Sequence, residues 1–164
     1  MNVNIPYYLA VVSPWCHWAE PAWAELKRRY VDRVEFGWKI AQVPVEVCPV
    51  SKAQCEWFYR LNGSIIRSPY MLNSDWFGLN QIEMLMPNLV AETTRDSGVN
   101  DDRVRLAIAQ VAVREGRKIG RWTVAVTVAA KTAERSKSKL LARARSRASL
   151  PASKSPPMNS TRCK

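Results

Sequence analysis

One stretch of the chain combines residues whose types and spacing can do chemistry: Ser13-Pro14-Trp15-Cys16-His17-Trp18. Ser is a preferred helix N-cap, and Pro at the first helical position gives up nothing, because its missing N–H would be unpaired there anyway. With Ser13 as the cap, Cys16 is the third helical residue. Unpaired backbone N–H groups and the positive end of the helix dipole favour a thiolate at such a position. Ser13 lies one turn away, within reach of the same small ligand. The pattern therefore offers attack by the Cys16 thiolate on a disulfide or thiol adduct, with Ser13 as the adjacent hydroxyl. The structural alternative is a plain cap and a buried apolar thiol, which free Cys often is. The motif would place Trp15 beside the thiol. His17 can act as a base or pair with a thiolate, but neighbours on a helix point about 100° apart. It reads as a polar wall of the site or as a surface residue.

No metal ligand set is expected. The chain has four Cys and one His, no Cys-x-x-Cys, and six residues between its only close pair, Cys48 and Cys55. Those two read as packing or surface thiols, with a bond between them left open, and Cys163 as an exposed thiol. With no export signal, four Cys in 164 residues make no disulfide framework.

The elements that must position the motif are short. Pro6–Val12 is an apolar, β-prone run that predicts a buried strand. Trp15, Trp18, Trp23, Leu26 and Tyr30 then recur at roughly helical spacing, with a kink or restart expected at Pro21, whose ring clashes with the His17 carbonyl. In Arg33–Ile40 the apolar residues Val34, Phe36, Trp38 and Ile40 alternate, which predicts a second strand. Strand, helix and strand in this span suit a right-handed βαβ unit with parallel strands. Later helices are predicted over Ser51–Leu61, Pro87–Asp96, Asn100–Glu115, Gly120–Ala130 and Glu134–Arg147, with Arg67–Gly78 irregular. The best signalled is Asn100–Glu115, with an Asn cap, Asp101 and Asp102 in its first turn and Gly116 just past its end.

Charge divides the chain. Ten of the 25 Lys and Arg but one of the 14 Asp and Glu lie in 131–164, giving +9 of the total +11 and leaving +2 for 1–130. From Ala148 the composition falls to Ser, Pro, Lys and Ala, which predicts a disordered tail. Arg135, Lys137, Lys139, Arg143, Arg145 and Arg147 could neutralise phosphates without sequence preference. No nucleic-acid-binding signature accompanies them, so a solvated basic end is the expectation and an acidic partner the rival. Met1–Ala19 is uncharged, but it lacks the positive n-region of a signal peptide and is broken by Pro6, Pro14 and His17. About 20 apolar residues are needed to span a bilayer. The reading is a cytoplasmic protein with no membrane partner.

A strand, then Ser13-Pro14-Trp15-Cys16 opening a helix, then a long helical insertion resembles the DsbA-like branch of the thioredoxin superfamily. The nearest likeness is to FrnE-like oxidoreductases, whose motif reads Cys-Pro-Trp-Cys; here Ser13 replaces the first Cys. The same branch includes 2-hydroxychromene-2-carboxylate isomerases and kappa-class glutathione transferases, which carry Ser-Pro-Tyr at this point. In those relatives the Ser hydroxyl bonds the glutathione sulfur, a role the resemblance passes to Ser13. Arg67-Ser68-Pro69-Tyr70-Met71-Leu72-Asn73 is also similar to a stretch in the kappa-class insertion. The resemblance covers roughly Pro6 to Arg147.

It implies an α/β fold: an incomplete thioredoxin-like βαβ core over 1–47, a helical insertion over 48–147 and a disordered basic tail over 148–164. The family's returning strand, preceded by a cis-Pro, and its last strand and helix have no counterpart in Ala148–Lys164. The expectation is therefore a homo-oligomer or partner chain that completes the sheet, or a shortened or sequence-shifted relative with impaired activity. The function expected first is thiol–disulfide oxidoreductase chemistry through the single motif thiol Cys16. Ser13 cannot form the mixed disulfide that a second Cys resolves, so glutathione would act as resolving partner. The second expectation is a glutathione-dependent isomerase or transferase with Ser13 on the sulfur and Trp15 and His17 beside it. The third is a non-enzymatic remnant whose basic tail binds acidic partners. A small thiol or disulfide is the expected substrate, glutathione the co-substrate, and no tightly bound cofactor is implied.

Overall fold

Val3–Leu9 (β1) and Val34–Ile40 (β2) pair as parallel strands in the computed structural model of the chain, in register from Val3 opposite Val34 to Leu9 opposite Ile40. The structure describes residues 3–78 and 81–134. Pro14–Arg29 (α1) joins the two strands, so the segment is mixed α/β and compatible with a partial βαβ core. After a 3-10 turn at Val45–Val47 come Lys52–Ile65 (α2), Gln81–Asp96 (α3) and Arg103–Val113 (α4). A further helical segment, α5, occupies 122–134.

The strand β1 lies further toward the N-terminus than Pro6–Val12. Its end is set by a turn in which the Ser13 N–H donates to the Ala10 carbonyl at 3.0 Å. The Leu9 carbonyl accepts from Ala41 N–H on the β2 side. By strand alternation Pro6 directs its peptide nitrogen to the open edge, where a missing N–H costs no ladder bond. On the face shared by Tyr7, Leu9, Phe36 and Trp38, Trp23 of α1 packs 4.8 Å from Tyr7 and 5.3 Å from Phe36, centroid to centroid. At the far edge of β2, Arg95 of α3 donates to the Trp38 carbonyl at 3.3 Å and stacks on its indole.

Helix boundaries moved where packing outweighs a local breaker. The restart expected at Pro21 is absent: α1 is one helix of 16 residues. The ring costs the His17 carbonyl its helical donor, but Glu20 and Trp23 on either side are both tied to neighbours. Likewise α2 runs through Asn62-Gly63 instead of ending before it. Both residues are buried, and the Trp18 ring and Met71 pack around Gly63 at ordinary contact distance. The chain turns afterwards at Arg67, in the left-handed region with φ 51°. Pro87 does not open α3 but lies buried inside it, six residues after Gln81.

The cap of α4 is Asp102 rather than Asn100, and its carboxylate makes no cap bond because Arg105 and Lys27 take it. At its other end α4 stops at Val113, two residues short of the expected Glu115, and Gly116, with φ 69°, turns the chain three residues later. The helix expected over Gly120–Ala130 reaches residue 134. The rest of the Glu134–Arg147 helix, the basic cluster, the 148–164 tail and Cys163 lie outside the described residues.

One core joins these elements. Leu9, Val11 and Trp38 of the βαβ unit pack with Tyr59, Trp76, Val90, Val104, Ile108 and Ile119. No helix of the described residues is long and apolar enough to cross a membrane.

Candidate functional site

The motif turns from strand to helix at Ser13, whose backbone is extended (φ −68°, ψ 128°) and whose side chain makes no capping hydrogen bond. Pro14 has no N–H, and the first helical bond runs from His17 N–H to the Ser13 carbonyl at 3.0 Å. The N–H groups of Trp15 and Cys16 thus have no intrahelical acceptor and, among the described residues, no other. Two unpaired backbone donors, a hydroxyl free of capping and the positive end of a four-turn helix therefore lie within the first turn of α1.

Ser13, Pro14 and Trp15 line a cavity of about 270 Å³ whose walls come from the β1–α1 turn, the segment after β2, α2 and α3. The lining is mostly apolar and includes Phe58, Tyr59, Trp76, Met84 and Leu85. Asn62 and Asn88 are its amides. Asn88 Oδ1 also accepts from the Val11 N–H at 2.8 Å, which anchors α3 to the turn that carries Ser13.

Cys16 does not line this cavity. Its half-buried side chain packs against the core, and its carbonyl accepts from the Tyr7 hydroxyl at 3.3 Å. Burial, and then the neighbouring Cys16 and Glu20, push the Tyr7 phenol above its usual range. Of the two residues expected to act together, Ser13 lines the cavity, whereas Cys16 packs against the core.

His17 also points away from the cavity. Its Nε2 lies 3.4 Å from the Tyr70 hydroxyl, in a cleft between α1 and α4 that Glu20, Asp102 and Arg114 share. Burial first, and then the Arg114 charge, hold its pKa below the ordinary imidazole value. Trp15 is half exposed and lines two cavities, the one with Ser13 and a shallower one with Trp18, Arg67 and Tyr70.

Cys48 and Cys55 are free thiols on the wall of the Ser13 cavity. Burial raises the Cys48 thiol, with Glu46 adding to it, and pushes Cys55 up to about 11. The sequence reads both as packing or surface thiols, leaves a bond between them open, and gives no sign that they line one cavity with Ser13. Asn88 was missed as well; its only signal is a polar residue in an apolar helical stretch. Among the described residues no three His, Cys, Asp or Glu side chains are grouped as metal ligands.

Compared with protein-family models, with curated proteins and with solved structures, the chain shows no significant match to any.

Proposed function

We propose that the chain is a glutathione-linked isomerase or transferase built on a thioredoxin-like core, in which the Ser13 hydroxyl holds the thiolate of the bound tripeptide. The observation that carries this reading is Ser13 itself: its hydroxyl makes no capping bond, and the residue lines an apolar cavity at a helix N-terminus. A sulfur anion there gains a charge-assisted bond from the hydroxyl, the unpaired N–H groups of Trp15 and Cys16, and the helix dipole. Each lowers the cost of ionising the thiol near neutral pH. The apolar walls suit an uncharged co-substrate held against the sulfur. In this reading Ser13 and Trp15 touch the ligand, while Cys16 supplies a backbone N–H and packing.

Thiol exchange through Cys16 is the lesser reading, because its sulfur would have to leave the core side of α1 to meet a substrate. Binding of glutathione, followed by calorimetry or by Trp fluorescence, separates the two. Ser13→Ala is expected to weaken binding about tenfold or more, the scale of one hydrogen bond to a charged group, and Cys16→Ala to leave it nearly unchanged. Equal affinity of Ser13→Ala and the unsubstituted protein would sink the proposal.

A further inference from the structure

The cleft between α1 and α4 is separate from the Ser13 cavity, since no residue lines both. It encloses about 460 Å³. Its acidic groups are already engaged: Glu20 pairs with Arg105, and Asp102 pairs with Arg105 and Lys27. Arg114, exposed at the C-terminal end of α4, has no carboxylate partner among the described residues. Its guanidinium stands 3.5 Å over the centroid of the Tyr70 ring, and the hydroxyl of that ring lies 3.4 Å from His17 Nε2. Stacking fixes the plane of the guanidinium fork and leaves its N–H donors free. Pro21, Trp23, Ala24 and Leu106 supply apolar walls.

We propose that this cleft binds a small aliphatic monocarboxylate, with its oxygens on Arg114 and His17 and its hydrocarbon part against Pro21, Trp23 and Leu106. One unpaired guanidinium matches one negative charge. Glu20 and Asp102 in the same cleft disfavour a dianion by repulsion. The charged and titratable groups around His17 are Glu20 from α1, Tyr70 from the segment after α2, and Asp102 and Arg114 from the two ends of α4. Of the cations here, Arg114 is the one without an acidic partner, so an anion bound to it removes the charge that opposes protonation of His17.

The chain has one His, whose ring resonances give an unambiguous readout in the intact chain. Butyrate is the probe, added at constant ionic strength, with inorganic phosphate, an anion with no hydrocarbon part, as comparator. The expected result is a saturable shift of the His17 signals with butyrate and a rise in its titration midpoint of about half a pH unit or more. Phosphate is expected to act far more weakly. Arg114→Gln is expected to lose the butyrate response, and Arg121→Gln, an exposed charge outside the cleft, to keep it. No saturable shift, an equal response in Arg114→Gln, or an equal response to phosphate would each overturn the proposal. The butyrate and phosphate comparison on the unsubstituted chain stands apart from the behaviour of any variant.

Discussion

Arg105 and Glu20, 85 positions apart in the chain, meet in a two-bonded ion pair that ties α4 to α1, one bond measuring 3.0 Å. Arg105 is 3% exposed and also holds Asp102, while Lys27 on the next turns of α1 holds Asp102 from the other side. Burial opposes the Arg105 charge, but the hydrogen bonds of Glu20 and the charge of Asp102 outweigh it and keep the guanidinium above its ordinary range. This pair sets the spacing of the two helices that form the His17 cleft.

Arg105→Met is expected to cost about 3–5 kcal/mol, because it strands Glu20 in a partly buried place without a partner. Adding Glu20→Gln should recover part of that loss, since the stranded charge is then gone. Urea unfolding of the single and double variants checks this. Equal stability of Arg105→Met and the double variant would mean that the stranded Glu20 charge costs nothing.

Gly116 and Gly98 both sit at positive φ, 69° and 89°, but differ in their surroundings. A Cβ at Gly116 would come within 2.5 Å of the Asn73 side chain, whereas at Gly98 nothing lies within 4 Å. Gly98→Ala should therefore cost about 1 kcal/mol of backbone strain, and Gly116→Ala about 2 kcal/mol or more. Thermal midpoints of the two variants give the comparison, and the reverse order would contradict the packing around Asn73.

His17 gives the fold a pH dependence whose sign follows from its depressed pKa, caused by burial and then by Arg114. The unfolded chain takes up the proton first, near the ordinary value of about 6.5. The contribution of His17 to stability is therefore complete above that pH and is lost as pH falls through its lower folded value. In His17→Asn the urea midpoint should drop less between pH 7.5 and pH 5.5 than in the unsubstituted protein. A parallel drop would show that other groups carry the dependence.

The thiols on the cavity wall should differ in reactivity. With Cys55 held at about 11 and buried, its thiolate at pH 8 is roughly 200-fold scarcer than that of a free thiol of pKa ~8.5. Alkylation followed by peptide mapping should label the half-buried Cys48 before Cys55 in the native protein, and both at similar rates in urea. Early labelling of Cys55 would argue against the packing of α2 on the cavity.

Much of this molecule is legible in local sequence. Ser13-Pro14 marks the start of α1, the alternation of Val34, Phe36, Trp38 and Ile40 marks β2, and Gly116 marks the turn that follows α4, because each signal acts within a turn or a strand pleat. Parallel pairing also follows, since a helix must carry the chain back between the strands. Tertiary structure decided the rest. Whether Pro21, Asn62-Gly63 and Pro87 break a helix depended on what lay against it, and burial outweighed one lost hydrogen bond. Which way Ser13, Cys16 and His17 face also depended on distant partners. Asn88 of α3 ties down the turn beside Ser13, Tyr7 of β1 meets Cys16, and Tyr70 and Arg114 draw His17 into another cleft. Spacing along a helix sets only the angles between side chains; what each one meets is set by segments tens of residues away.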